Sequence, residues 1–329
     1  MKEINYGFDM RMGDAPVIRK LGITGACSET TPFVWKGKLK WLHTLTEGDP
    51  HTFVFTSGFY IEDDETKQCT PTVFPGKHFY SCYTEKDVLY VFGTNEQEDG
   101  KWGGDTVTMF WSSDLEHYES RDIVSRPGWL YYNTSVCKGR DGRYVIAMEA
   151  GKPTELVGKG FTIFFAVSDD LMNWTCMDDS VRYNDTRYTA CPALRYVEED
   201  DYYYMVCLEE LPFQRYAPYI YRTRDFETWE IGIHNPVLWI SPEDRIPAPG
   251  VRLKPEEEAL AKTYVNINNC DLDFCEFEGK THISYLTGDQ LSHGFHCEAE
   301  YDGPLTEFLQ SFFTLYPAEG NWKNKFGIS

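Results

Sequence analysis

The stretch Val167-Ser168-Asp169-Asp170-Leu171-Met172-Asn173-Trp174 recurs, with substitutions, at residues 111–118 and 222–229. Aligned on their shared Asp, the copies stand at positions 114, 170 and 225, which are 56 and 55 residues apart. Each copy predicts a β-strand that ends in a tight turn, followed by an apolar and then an aromatic residue that pack in the core. A structural unit of about fifty residues therefore repeats along the chain.

A hairpin pattern recurs with the same period. Five polar turns separate pairs of β-branched or aromatic runs that are too short for helices, and these turns lie at residues 36–38, 85–87, 141–143, 199–201 and 278–280. A short helix is predicted at residues 255–263. A β-sandwich is the alternative architecture, but it does not predict one motif that recurs at a constant spacing along the chain.

Five such units, each of two hairpins, predict an all-β fold: a five-bladed β-propeller with four-stranded antiparallel blades. We expect one domain that spans residues 1–329, because no linker divides the chain. The N-terminal segment up to about Gly22 is expected to add the closing strand to the last blade.

Composition narrows the range of partners. Lys and Arg total 31 against 52 for Asp and Glu, and the net charge of −21 disfavours a nucleic acid partner. No run of eighteen apolar residues and no N-terminal apolar segment occurs, which predicts a cytoplasmic protein with no membrane partner. The ten cysteines include no Cys-x-x-Cys pair, so they are predicted to be reduced, small, buried apolar residues.

The turn from Ser168 to Trp174 resembles the one repeated in five-bladed glycosidases. That group comprises the arabinanases and β-xylosidases, the invertases and levansucrases, and the anhydrogalactosidases. The resemblance covers residues from about 26 to 313 and concerns the architecture. It implies carboxylates at the beginnings of the innermost strands, around a central funnel. The matching residues here are Glu29, which stands three residues before Pro32 rather than next to it, and Asp271 with Asp273.

The middle blades depart from that pattern, because their innermost strands begin at residues 78–80, 132–134 and 189–191 without a carboxylate. Strand direction predicts other acids at the same edge. In an antiparallel hairpin the start of the first strand and the end of the second lie side by side. The acids that follow the second strands are Glu47, Glu96, Glu149, Glu209 with Glu210, and Asp289.

These acids suit the hydrolysis of a glycosidic bond. One carboxylic acid must protonate the leaving oxygen, while another carboxylate activates water or attacks carbon. Crowded carboxylates push their pKa values apart, so that one keeps its proton near neutral pH. We predict Glu149 as the catalytic acid and Glu29 or Asp271 as the base.

The remaining candidates would bind substrate. They are Asp273, Trp102, Asp105, Glu210, Arg215 and His293. Trp102 interrupts the repeat within the Gly-rich residues 100–104, which favours a surface for stacking a sugar ring. His293 and His296 are expected in the last rim loop, where a proton-donor role is open. Asp114, Asp170 and Asp225 repeat with the fold and are predicted to be turn residues.

Several alternatives stay open. Asp271 and Asp273 have a structural alternative, either bonding backbone amides or binding calcium in the axial channel. No cofactor is required and no histidine spacing indicates a catalytic metal. We expect a glycosidase that acts on small oligosaccharides. A phosphorylase or lyase on the same fold and a non-catalytic sugar-binding propeller are the alternatives, since a fold does not determine function.

Overall fold

The computed structural model describes residues 16–49, 54–97, 99–290 and 293–314. The first two sheets follow the predicted hairpins. They have the strand orders β2-β3-β4 (Thr30–Trp35, Lys38–Asp49, Val54–Asp63) and β5-β6-β7-β8 (Lys77–Glu85, Val88–Asn95, Thr106–Ser112, Glu119–Ser125). A further four-stranded sheet has the order β9-β10-β11-β12 (Leu130–Lys138, Tyr144–Lys152, Thr162–Ser168, Trp174–Cys176).

The largest sheet has eight strands in two antiparallel groups. The groups are β13-β14-β15-β16 (Thr189–Val197, Tyr202–Leu211, Arg215–Thr223, Glu230–Ile231) and β17-β18-β19-β1 (Asn268–Phe277, Lys280–Gly288, Gly294–Tyr301, Arg19–Ala26). A single parallel pair, Tyr216 with Asn268, joins the two groups. The first strands β2, β5, β9, β13 and β17 contact one another in that order, and β17 also contacts β2.

Helices are short in the described part of the chain. They are α1 (Thr154–Val157), α2 (Pro255–Thr263) and α3 (Leu305–Ser311), with 3-10 turns at Arg140–Gly142 and Pro242–Arg245. The predicted helix at residues 255–263 is therefore confirmed. None of these helices has the length and apolar character needed to cross a membrane.

The five predicted hairpin turns are confirmed, because each lies between the first two strands of a sheet or group. The all-β prediction is also confirmed, and four antiparallel strands are confirmed for the second and third sheets and for both groups of the largest sheet, whereas the first sheet has three strands in the described residues. The number of blades and the single domain over residues 1–329 stay predictions, the latter because both termini lie outside the described residues.

The repeated Asp forms the same turn in all three copies. Asp170 Oδ1 accepts the backbone N–H groups of Met172 and Asn173 at 2.9 and 2.8 Å. The pKa of Asp170 is lowered to about 2, chiefly by the N–H of Asn173. The next residue is left-handed and buried in each copy, as shown by Leu115 (φ 66°), Leu171 (φ 65°) and Phe226 (φ 62°). The predicted turn role of this Asp is confirmed.

Side chains between neighbouring sheets form the hydrophobic core. One cluster joins Phe92 and Met109 of the second sheet to Ile146, Met148 and Phe164 of the third. All ten cysteines are free thiols, as predicted. The prediction that they are buried holds for four of them, while four others are half-buried and it is wrong for Cys27 and Cys69, which are exposed.

The predicted closing strand is confirmed, since β1 pairs antiparallel with β19. Lys20 of β1 donates to Asp244 Oδ1 at 2.6 Å, and Asp244 is fully buried. Asp244 also accepts hydrogen bonds from the Tyr285 hydroxyl at 3.0 Å and the Asn266 amide at 3.1 Å. This network attaches the segment between β16 and β17 to the closing strand.

We expect Asp244→Ala to lower the free energy of unfolding by about 3–5 kcal/mol, because it leaves the buried Lys20 ammonium without a carboxylate to balance its charge. Urea unfolding measures the loss. The control is Glu65→Ala, which removes an exposed pair with Lys38 at 3.3 Å and should cost less than about 1 kcal/mol. Equal losses in the two variants would contradict the anchoring role of Asp244.

Candidate active site

Bulges re-aim side chains at the beginnings of three first strands. The pairing register shifts within residues 78–81 of β5, 190–193 of β13 and 270–273 of β17. One residue of each bulge is left-handed, and these are Phe79 (φ 57°), Cys191 (φ 50°) and Asp271 (φ 49°). A bulge inserts one extra residue and turns its side chain out of the strand's alternation. Cys191 and Asp271 thereby line one cavity.

The structure brings the three predicted catalytic acids together. Glu29, in the link between β1 and β2, lines the cavity with Asp271 of β17. Glu149 of β10 is buried beside it, and its Oε2 accepts the N–H of Cys191 at 2.8 Å and the Asn133 amide at 3.1 Å. Both donors line the same cavity. We call Glu29, Glu149 and Asp271 the acid cluster.

Burial dominates the electrostatics of the acid cluster. It raises the pKa of Glu29 well above the ordinary value, and the charges of Asp271 and Glu149 raise it further. Burial also raises the pKa of Glu149 to about 7, against the opposing hydrogen bonds from Cys191 and Asn133. The described residues that line the cavity include no Lys or Arg. The cluster therefore holds at least one proton near neutral pH.

The pKa of Asp271 is raised by burial, while the thiols of Cys191 and Cys270 lower it by donating hydrogen bonds. In the described part of the chain, the carboxyl of Glu29 accepts no such bond. The ionised form is thus better stabilised at Asp271 than at Glu29.

Asp273 lines the same cavity but belongs to an ion pair. Its Oδ1 accepts Arg195 Nη2 at 2.5 Å and the N–H of Phe274 at 2.8 Å. The bulge breaks the alternation of β17 between Asp271 and Asp273, so the two carboxyls have different partners although both line the cavity. Asp273 is held by Arg195 while Asp271 belongs to the acid cluster.

The other predicted substrate-binding residues are dispersed. Asp105 accepts the Thr106 hydroxyl at 2.9 Å. Glu210 is exposed, whereas the adjacent Glu209 is buried and 3.3 Å from Arg187. Arg215 is exposed at the start of β15. His293 is exposed, and its Nδ1 lies 2.8 Å from Asp289 Oδ2.

The expected location of His296 in a rim loop is wrong. His296 belongs to β19 and is buried between Thr24 and Ser284, which lie 2.8 and 3.1 Å from its ring nitrogens. Burial lowers the pKa of His296 well below its usual value, and the nearby His43 lowers it further. A neutral imidazole with both nitrogens engaged does not serve as the proton donor.

Trp102 is part of a series of aromatic rings that sequence reasoning missed. We call the series the aromatic arc, and it consists of Phe55, Trp102, Phe79, Tyr132, Phe161, Tyr188 and Tyr216. Consecutive ring centroids lie 4.0–5.6 Å apart. The charge of Glu149 contributes to the raised pKa values of Tyr132 and Tyr188, after burial as the main cause. The arc thus passes beside the acid cluster.

The absence of a side chain at Gly151 makes room for two rings of the arc. A Cβ atom at Gly151 would lie 2.8 Å from the Phe161 ring and 3.0 Å from the Tyr132 ring. Only glycine therefore allows both rings to pack over this strand. The missed signal was an aromatic residue near the beginning of three successive first strands, at Phe79, Tyr132 and Tyr188.

Two further contributors, Asn133 and Cys191, were also missed. Both stand near the beginnings of first strands, where the family pattern implies carboxylates. Among the residues described, no group of three or more His, Cys, Asp or Glu side chains is arranged to hold a metal ion. The calcium ion in the axial channel stays a prediction.

The fold is similar to that of several solved glycoside hydrolases. The α-L-arabinofuranosidase PaAbf62A from Podospora anserina, solved with cellotriose, has a TM-score of 0.59 and 6% identity over 89% of this chain and 99% of that one. A thermostable family-43 glycoside hydrolase has a TM-score of 0.56 and 9% identity over 85% and 90%. The Bombyx mori GH32 β-fructofuranosidase BmSUC1 has a TM-score of 0.52 and 12% identity over 87% and 62%.

No family model matches the chain, and no curated protein matches it in sequence. The similarity therefore concerns the fold. At that level it confirms the resemblance to the propeller glycosidases that the turn motif indicates.

Titration of Glu149 should make stability depend on pH. Its pKa is about 7 in the folded chain against 4.5 ordinarily, so the folded state keeps a proton that the unfolded state loses between these values. Stability should therefore fall as the pH rises through this interval, by up to about 3 kcal/mol at ~1.36 kcal/mol per pKa unit. We expect Glu149→Gln to match wild type at pH 4.5 and to be more stable at pH 8, as measured by urea unfolding.

Glu298 provides the matched control, because burial also raises its pKa to about 7. Glu298→Gln should show the same dependence on pH. A stability difference between Glu149→Gln and wild type that is the same at both pH values would contradict the protonation assigned to Glu149.

Proposed function

We propose that this chain is a five-bladed β-propeller glycoside hydrolase that cleaves short oligosaccharides in the acid cluster. The cyclic order of contacts among β2, β5, β9, β13 and β17 supports five blades around one axis. The fold shared with PaAbf62A and the other hydrolases supports carbohydrate chemistry, although fold similarity alone does not carry it.

The acid cluster is the observation that carries the proposal. Glu29 and Asp271 line one cavity, Glu149 is buried beside it and interacts with the charge of Glu29, and no cation lines the described part of the cavity. Burying carboxylates without cations is unfavourable, so such a cluster weakens the fold unless it serves a function. Strongly raised carboxyl pKa values in a cavity are characteristic of acid–base catalysis.

The surroundings of each carboxyl suggest its role. Glu149, with a pKa of about 7, is the general acid that protonates the leaving oxygen. Asp271, whose ionised form is stabilised by two thiol donors, is the base or nucleophile. Glu29 keeps its proton and prevents the cluster from accumulating a third negative charge. This arrangement supplies the two carboxyl functions that glycoside hydrolysis requires.

The aromatic arc supplies a surface for the rest of the substrate. Sugar rings present apolar C–H faces that pack on aromatic rings, and six members of the arc are only partly buried. Because the arc extends beyond the acid cluster along several strands, it suits an oligosaccharide better than a single sugar.

Two alternatives make different demands on the site. A phosphorylase needs cations for phosphate, which disfavours it because the described cavity lining lacks Lys and Arg. A non-catalytic binding protein needs the arc but not the raised carboxyl pKa values. Assaying a panel of aryl glycosides and short oligosaccharides, with and without phosphate, distinguishes hydrolysis, phosphorolysis and binding without turnover.

The acid roles predict different responses to the leaving group. Glu149→Gln should lower kcat/KM about 10²–10⁴-fold on an oligosaccharide. The loss should be much smaller on a nitrophenyl glycoside, whose leaving group departs without protonation. Asp271→Asn should be impaired on both substrates.

Glu298→Gln is the control for these variants, because it removes a buried carboxyl of similar pKa that lies in β19 rather than in the acid cluster. It should retain wild-type activity. Equal losses on both substrates for Glu149→Gln would refute its role as the acid, and a fully active Asp271→Asn would refute the role of Asp271.

The aromatic arc predicts a defect in binding. Trp102→Ala should raise KM for an oligosaccharide about 2–10-fold while kcat changes little, because one ring contact contributes about 0.5–1.5 kcal/mol. Trp35→Ala is the matched control at the hairpin-turn end of β2, where the indole donates to Asp87. An unchanged KM for Trp102→Ala would exclude this end of the arc from substrate binding.

A further inference from the structure

Cys191 contacts both of the carboxyls to which we assign the chemistry. Its backbone N–H donates to Glu149 Oε2 at 2.8 Å. Its side chain lines the same cavity as Asp271, and the neighbouring thiol lowers the pKa of that carboxyl against the effect of burial. The Asn133 amide, which shares the same oxygen of Glu149, lies 3.5 Å from Cys191 Sγ. One residue of β13 thus connects an acid of β10 with an acid of β17.

The backbone at Cys191 is held in an unfavourable conformation to make these contacts. Its φ of 50° lies in the left-handed region, and Pro192 follows directly. A non-glycine residue rarely adopts positive φ, and a following proline restricts its conformation further. Strain of this kind persists where the surrounding structure enforces it, and it concentrates at functional sites.

The thiol is suited to donating rather than to reacting. Burial and the charges of Asp271 and Glu149 raise the pKa of Cys191 well above that of an ordinary thiol. The group therefore stays protonated, and it offers its S–H to Asp271 without adding charge to the cluster. A serine at this position would also donate, whereas an alanine would not.

We propose that Cys191 is a positioning residue, whose N–H holds Glu149 while its thiol holds Asp271, so that the two carboxyls keep a fixed separation. This inference rests on the proposed function. The separation of two catalytic carboxyls determines whether a glycosidase inverts or retains configuration. Cys191 thereby acts on the reaction through the acids, without contacting the substrate itself.

The test compares Cys191→Ala, which keeps the N–H and removes the thiol, with Cys191→Ser, which keeps a donor. We expect the acidic limb of the pH profile of kcat/KM to move up by about one unit in Cys191→Ala, because Asp271 loses a donor to its ionised form. The alkaline limb, which reports Glu149, should stay in place. Cys191→Ser should restore the acidic limb toward wild type.

Cys137→Ala is the matched control, since this buried thiol of β9 packs in the core around Val145 and Leu194. It should leave both limbs unchanged. If Cys191→Ala lowered kcat/KM equally at every pH, as a purely structural defect would, the positioning role would be overturned. If Cys191→Ala does not fold, Cys191→Ser serves as the test. An acidic limb at the same pH as in wild type supports the role. A lower kcat/KM at every pH, without a displaced limb, overturns it.

A direct titration separates this inference from the proposed function. Carbon-13 NMR of labelled aspartate reports the protonation of Asp271 without turnover. A higher pKa of Asp271 in Cys191→Ala than in wild type supports the contact even if no glycoside is cleaved, in which case only the proposed function fails. Identical titration in wild type and both variants overturns the inference, whatever the activity.

Discussion

The antiparallel pairing of β1 with β19 is the constraint on which the site depends. It joins the first described strand to the last hairpin, so that the chain just after β1 lies beside β17. Glu29 and Asp271 face one cavity for this reason, although most of the sequence separates them. The buried pair of Lys20 with Asp244 stabilises the same strand. The architecture and the acid cluster therefore have a common origin.

Charge repulsion within the acid cluster is balanced by neutral donors. A lysine or arginine would stabilise three buried carboxyls more strongly, but it would also lower their pKa values and remove the proton that an acid catalyst needs. Backbone and amide N–H groups at Glu149 and thiols at Asp271 give partial stabilisation instead. The fold accepts a less stable centre, and protonation becomes sensitive to small changes around each carboxyl.

Local features of the fold could be predicted because each is encoded within a few residues. The Asp170 turn needs only two backbone N–H groups and one left-handed residue, and its motif is recognisable in the sequence because it recurs three times. Antiparallel geometry was enough to place Glu149 at the correct edge. The bulges were not predictable, because an extra residue in β13 or β17 is visible only in the pairing register. Alternation alone therefore does not distinguish Asp273 from Asp271, and it overlooks Cys191.

The late partner of β1 also has a consequence for synthesis on the ribosome. β1 precedes every other described strand in the chain, whereas β19 is translated after all of them. Until then the backbone N–H and C=O groups along one edge of β1 lack their strand partner, and they can pair wrongly with other chains. The nascent chain consequently carries Glu29 long before Asp271, and the acid cluster can assemble only after β17 has been made and β19 has paired with β1.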